Sequence, residues 1–279
     1  MNKPIKLVFF ISVFMLASAN AQGQGKLIAT SGVGSVEGTA GGGIIPWAPL
    51  GSYATSDEWG MSATSSRAEV KDFSLSSTAV TLGLYDRVEL SIAHMDFQAA
   101  VGGSSIVQNV FGVKYRLMGD LIYDDYPVVS LGLQHRSLRD TATAKAVGAN
   151  DTSGTDFYIS TAKVWLDGVD HLTTFANVNL RYSNANQLGI LGFGGDDEDR
   201  QWMLELAAAL FINPRLAIGF EYRQKSDNLS ALKEEDWSDL FVAYFPSKSV
   251  SLTAAFLDLG DIAGQPDQTG FYFSITGSY

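Results

Sequence analysis

The chain has no cysteine, only 7 prolines in 279 residues, and 19 lysines and arginines against 30 acids. Without cysteine no disulfide can hold it, so it must close its own backbone hydrogen bonds or bury a core. The formal net charge of −11 and a pI of about 4.6 argue against a nucleic-acid partner, because phosphate binding needs clustered Lys and Arg. Long hydrophobic runs are also missing. After residue 21 the longest is Leu206 to Ile212, and a spanning helix needs roughly 20 apolar residues. Mean hydropathy of +0.07 is too low for a bundle of membrane helices, while 46% hydrophobic residues is too much for a disordered acidic tail.

What is present begins with an export leader. Lys3 and Lys6 precede an apolar stretch, Leu7 to Ala17, broken only by Ser12, and Ala19-Asn20-Ala21 supplies a small-residue cleavage site. The reading is a signal peptide over 1–21 with the exported part starting at Gln22. An uncleaved anchor is disfavoured by the shortness of the apolar stretch, and a lipoprotein by the lack of cysteine at the cleavage point.

Past the leader, apolar residues recur at every second position. Trp202, Leu204, Leu206, Ala208, Leu210 and Ile212 share one parity; after Asn213-Pro214-Arg215, so do Leu216, Ile218, Phe220 and Tyr222, alternating with Ala217, Gly219, Glu221 and Arg223. This period is that of a strand with one oily and one mixed face. It repeats around Val80 to Leu84, Val88 to Ile92, Phe111 to Leu117, Val129 to Leu133, Ala176 to Tyr182, Leu240 to Tyr244 and Val250 to Phe256. Short turns near 85–87, 213–215 and 246–248, with a slightly longer one at 167–171, alternate with long polar stretches at 138–154, 184–200, 226–236 and 259–268. An up-and-down barrel with short periplasmic turns and long extracellular loops has this layout; a soluble sandwich scatters its loops over both ends.

Aromatics gather at strand ends: Tyr85, Tyr115, Phe211, Tyr244 and Tyr279 at the short-turn end, and Tyr182, Trp202, Tyr222, Trp237 and Phe256 at the loop end. Two interfacial girdles are placed this way. The fold expected is therefore all-β, a single-domain antiparallel transmembrane barrel. Its strands are 58–67, 77–85, 87–97, 106–117, 127–137, 155–166, 171–183, 200–212, 215–225, 236–245, 249–258 and 269–279. The segment 22–57 is open. It holds Gly41-Gly42-Gly43, and Pro46 and Pro49 forbid a central ladder strand across 46–49. Either it adds two strands, giving fourteen, or it folds into the lumen or under the barrel.

The last strand, with Phe271, Phe273, Ile275, Gly277 and Tyr279 on one parity and an aromatic final residue, resembles the C-terminal signal by which bacterial outer-membrane barrels are recognised. The stretches Glu37-Gly38-Thr39-Ala40-Gly41-Gly42-Gly43-Ile44-Ile45-Pro46-Trp47 and Gly83-Leu84-Tyr85-Asp86-Arg87-Val88-Glu89-Leu90-Ser91 further resemble an uncharacterised family of Gram-negative outer-membrane-like proteins, known as a domain of unknown function. The resemblance implies an outer-membrane location, contacts with membrane lipid and lipopolysaccharide, and assembly-machinery recognition through Tyr279. It supplies no catalytic or binding residues.

Candidate chemistry lies on the inner face. Parity places the basic Lys114, Arg116, Arg136, Lys163 and Arg181 on the fourth to seventh strands, and the acidic Glu89, Glu205, Glu221 and Asp239 on the third and the eighth to tenth, with Arg223 the exception. Lys163 is put inside because a charge in mid-membrane costs roughly 2–4 kcal/mol. In a water-filled lumen such arcs create a transverse field that sets ion preference; in a narrow barrel the same side chains fill it with ion pairs. A short turn at 213–215 sets Glu205 opposite Arg223 as a structural pair.

His94 near Asp96, and His135 near Ser137 and Asp140, raise an outer-leaflet hydrolase. Both histidines fall on the lipid parity, however, and no G-x-S-x-G is present. Asp196-Asp197-Glu198-Asp199 and Lys233-Glu234-Glu235-Asp236 read as solvated loop tips rather than metal sites. The expectation is a non-enzymatic barrel passing small polar or charged solutes, with no cofactor and no metal. A non-transporting barrel with a filled lumen is the alternative.

Overall fold

The computed structural model describes residues 25–100, 105–196, 200–230 and 232–279. The leader expected at 1–21 and the acids Asp197, Glu198 and Asp199 lie outside the described residues.

Two short strands, β1 (Val33–Gly34) and β2 (Ala40–Gly41), pair with each other and stand apart from the rest. Twelve longer strands then follow: β3 (Trp59–Val70), β4 (Phe73–Leu84), β5 (Val88–Ala99), β6 (Ser105–Met118), β7 (Val128–Leu138), β8 (Ser153–Trp165), β9 (Thr173–Ser183), β10 (Gln201–Asn213), β11 (Leu216–Arg223), β12 (Trp237–Ser247), β13 (Val250–Asp258) and β14 (Thr269–Ser278). Each pairs antiparallel with its sequence neighbours, and β14 returns to β3, closing a barrel. At the seam Tyr279 N donates to Met61 O at 2.7 Å and Met61 N to Tyr279 O at 2.9 Å. Closure leaves no open sheet edge, the condition for strands to cross lipid. Among the described residues no helix is long and apolar enough to cross a membrane; the one short helix, α1 (Ala142–Ala146), sits in a loop.

Alternation in sequence becomes inside and outside in the wall. Leu240 is 67% exposed on the outer surface and Asp239 beside it is 4% exposed in the interior. Trp202, Phe220, Val242, Phe271 and Phe273 likewise face outward, where exposed apolar side chains need lipid rather than water. The expected parity fails on one strand. In β8 it is Asp156, Tyr158, Ser160, Ala162 and Val164 that are buried inside, so Lys163 points outward and does not line the lumen. Lys163 lies near the short-turn end of β8, and its Nζ donates to Asp124 O in the turn at 119–127. A lysine snorkelling at the interface escapes most of the mid-depth cost, only about 0–1 kcal/mol remaining, whereas the opposite choice would put Asp156 outside.

Two aromatics assigned to the girdles also face inward. Trp237 is buried, and Phe211 stacks on Phe245 with ring centroids 6.4 Å apart. Connection lengths are less regular than expected. β3 and β4 extend to a two-residue link, Lys71-Asp72, at the loop end, and the turn at 119–127 is long for the other end.

The barrel is not hollow. Residues 31–54 are buried inside it, forming a finger with β1 and β2 as its two legs. The finger begins beside Lys26, whose Nζ lies 2.6 Å from Asp86 Oδ1 in the 85–87 turn, and it leads back into β3 at that same end. The described part of 22–57 therefore adds no barrel strand.

Candidate functional site

The finger is irregular chain, and buried backbone groups without partners are costly. The wall supplies the partners, which is why its inner face is polar. Ser77 Oγ donates to Val36 O and Thr81 Oγ1 to Gly38 O, both at 2.7 Å. Ser130 Oγ donates to Ala48 O at 2.7 Å and Asn179 Nδ2 to Pro46 O at 2.6 Å, while Ala48 N donates to Asn177 Oδ1 at 2.9 Å. Glycine is required where the finger passes charged groups. A methyl group on Gly42 would stand 2.2 Å from Glu221 Oε1, and Gly38 has φ +90°, the left-handed region.

At the fingertip Glu37 meets three arginines from three strands. Arg136 Nη2 bonds it, Arg223 Nη1 lies 2.9 Å from Oε2, and Arg181 Nη2 lies 3.5 Å from the same oxygen. Asp156 and Glu205 complete the network. Arg136 bonds Asp156; Arg181 Nε is 2.6 Å and Arg223 Nε 3.2 Å from Glu205 Oε1. Three cations and three carboxylates balance in a space closed to water, where pairing is what makes buried charge tolerable.

Lower in the lumen Glu89 takes Lys114 Nζ at 3.2 Å, Gly51 N at 2.7 Å and the Thr39 hydroxyl, and Lys114 also donates to Pro49 O at 3.0 Å. A further carboxylate, Glu221, accepts Ile44 N and Trp47 Nε1, each at 2.8 Å. Beside it in register stands Asp239, whose two buried oxygens have no hydrogen-bond partner.

Glu89, Lys114, Arg136, Arg181, Glu205, Glu221, Arg223 and Asp239 are thus buried in the lumen. Arg116 faces inward at the short-turn end, 2.6 Å from Asp86 Oδ2. Glu205 pairs with Arg223 in register. Separate basic and acidic arcs do not survive, because Glu37 and Asp156, absent from the sequence-based site, neutralise the basic side. The signal for Asp156 was the parity of β8. Glu37 offered no strand pattern to read.

Loops close the other mouth. Gln108 Nε2 donates to Leu188 O at 3.2 Å, and Gln187 N to Glu234 Oε1 at 2.9 Å. Glu234 pairs with Lys225 at 2.7 Å; burial pushes the Lys225 ammonium down and the Glu234 carboxyl up, outweighing their mutual attraction. Lys233, by contrast, pairs with Glu235 in solvent at 2.7 Å. On the outer wall His94 Nδ1 is 2.9 Å from Asn109 Oδ1 and His135 Nδ1 is 2.9 Å from Thr155 Oγ1, both exposed. Among the described residues no group of three or more metal-ligating side chains converges.

A closed twelve-strand antiparallel barrel with an oily outer belt and an ion-paired, self-filled interior defines the class, that of membrane-spanning β-barrels. Over residues 30–276 the chain matches the family described as "Protein of unknown function (DUF3034)", and it belongs to that family. No curated protein matches it in sequence. Among solved structures it is similar to the KdgM porin, with 10% identity, 78% of this chain and 99% of that one covered, and a TM-score of 0.52. It is also similar to the KdgM porin in complex with disordered oligogalacturonate, at 11% identity, the same shares covered, and a TM-score of 0.50. The outer membrane protein Omp33 of Acinetobacter baumannii aligns over 81% of this chain and all of its own at 11% identity, with a TM-score of 0.49.

Proposed function

We propose that this chain is a passive channel in the outer membrane of a Gram-negative bacterium, taking small polar or charged solutes, with residues 25–57 as its closing element. The observation that carries the reading is the chemistry of the interface between finger and wall. Beside its apolar contacts at Trp47, it is rich in hydrogen bonds and ion pairs to Ser130, Asn177, Asn179, Lys114 and three arginines, groups that water can solvate once the finger withdraws. Porins among its structural relatives, including one described with oligogalacturonate, are in keeping with a solute path. No nucleotide or energy coupling is implied. The second reading, a barrel that transports nothing, is favoured by the charge balance of the buried Glu37 network.

The absence of cysteine makes the test clean. A Cβ on Gly51 would stand 2.9 Å from Thr81 Cγ2, so the pair Gly51→Cys and Thr81→Cys is placed to tie finger to wall. In planar bilayers the wild type is expected to show discrete conductance steps, the oxidised double variant none, and the reduced variant steps again. Silence of wild type and reduced variant at every voltage removes the channel and leaves the structural barrel.

A further inference from the structure

The lumen wall is polar around the finger but changes character at the short-turn end of β8 to β12. There the inward positions are Val164, Phe175, Phe211, Phe241 and Phe245, with alanines between them, and they surround a cavity of about 440 Å³. The space has a structural origin. The row Phe211–Ala217–Ala243 places two small side chains beside one large one, and in the next row Gly219 lets the Phe241 ring lie against the backbone, where any Cβ would stand 2.5 Å from Cζ. The finger covers the inner side through Leu27, Ile28 and Trp47, whose ring sits 4.4 Å from Phe175 and 6.1 Å from Phe241, but does not fill it.

No lysine, arginine, aspartate or glutamate lines this cavity; hydrogen-bonding groups sit among turn residues and near them, at Thr30, His171, Thr173 and Asn213. An apolar hollow of this kind holds water poorly and forfeits the contacts its walls would make with an occupant. Its volume falls in the roughly 300–1,000 Å³ range of small-molecule sites, and an apolar body with a few polar groups at one end is the usual binding chemistry there. We infer that the cavity binds a single-chain amphiphile, its hydrocarbon tail between Trp47 and the phenylalanines of β9, β10 and β12 and its head at the mouth beside His171 and Asn213. The ligand is amphiphilic because the inner part offers nothing to a polar group and the mouth nothing to a charge. The site is formed with the finger in place and does not require that the lumen conducts.

Alternation in the wall provides the test. The full barrel in nanodiscs is photolysed with palmitic acid carrying a diazirine near its methyl end, and the adducts are mapped by residue. Lipid-facing Leu210, Ile218, Leu240 and Val242 should be labelled in any case, as they sit in the membrane. The proposal requires additional adducts on inward Phe175, Phe211, Phe241 or Phe245, displaced by excess unlabelled palmitate. Ala217→Phe or, independently, Ala243→Phe should reduce the inward adducts at least tenfold while sparing the outward ones, which also report that the barrel is assembled. Displacement by hexadecanol as well as palmitate would assign the recognition to the chain and a hydrogen-bonding head; displacement by palmitate alone would demand recognition of a charge that the mouth does not offer and would overturn the proposal. Adducts confined to outward residues in the wild type, or inward adducts indifferent to both substitutions, overturn the proposal.

Discussion

Arg223 on β11 holds Glu37 of the finger, Nη1 to Oε2 at 2.9 Å, across 186 positions of chain. The contact is one of three that converge on a single carboxylate, so the acid is the keystone between finger and wall. Glu37→Gln leaves three buried guanidiniums facing Asp156 and Glu205 alone. Breaking a buried pair from one side costs about 3–5 kcal/mol, since the orphaned charge remains in place. The finger should loosen while the barrel persists. Hydrogen exchange read by mass spectrometry is expected to accelerate in peptides covering 33–47 and to stay unchanged in β3 to β14; equal protection in variant and wild type would refute the keystone role.

Asp239 has the opposite standing. Its oxygens are buried without partners next to Glu221, which already accepts two donors from the finger. A second carboxylate there adds like-charge repulsion in a buried place. Asp239→Asn keeps the shape, removes the like charge and offers an N–H to Glu221, a bond to a charged group worth about 1.5–3 kcal/mol. Thermal unfolding should shift upward by several degrees. A lower midpoint would mean that Asp239 holds something the carboxylate alone can bind.

The outer belt predicts a depth-dependent response. Phe220 lies within the span of β11 and Trp202 at the loop end of β10, both outward. Phe220→Arg is expected to cost about 2–4 kcal/mol in lipid, and Trp202→Arg near the interface about 0–1 kcal/mol for the charge itself. Unfolding titrations in vesicles compare the two directly, and equal penalties would contradict a membrane lying across this belt.

Most of the wall was legible from parity, because a strand between oil and polar side chains repeats every second residue, and β10, β11 and β12 carry that repeat without interruption. The strand at β8 was not. Threonines, a tyrosine and a serine on alternating positions give nearly equal faces, so one lysine decided the reading, and it decided wrongly because Lys163 sits at the interface rather than at mid-depth. The finger was illegible for a different reason. Its conformation is fixed by partners far along the chain, from Ser77 for Val36 at 41 positions to Arg136 for Glu37 at 99 and Asn177 for Ala48 at 129, and long-range pairing of irregular chain leaves no local period. Trp237 shows the limit of composition: an aromatic at a strand end suits the interface, yet here its ring lies under the Lys225 ammonium, 4.5 Å from the nitrogen, inside the loop end of the lumen.

Tyr279 closes the seam. Its amide and carbonyl make the final two backbone bonds to Met61, and its ring lies 5.8 Å from that of Trp59 at the same end. Deleting it opens the last rung of the only strand pairing that joins the two ends of the barrel, and it also removes the aromatic terminus that resembles an assembly signal. The two effects are separable. Tyr279→Phe keeps backbone bonds and aromaticity and should behave as wild type; Tyr279→Ala keeps the backbone bonds alone; deletion keeps neither. If the ring acts as the signal, the alanine variant accumulates in outer-membrane fractions as poorly as the deletion while refolding normally from denaturant into vesicles. If the seam bonds alone matter, the alanine variant reaches the membrane at wild-type levels and only the deletion fails, in cells and in vesicles alike.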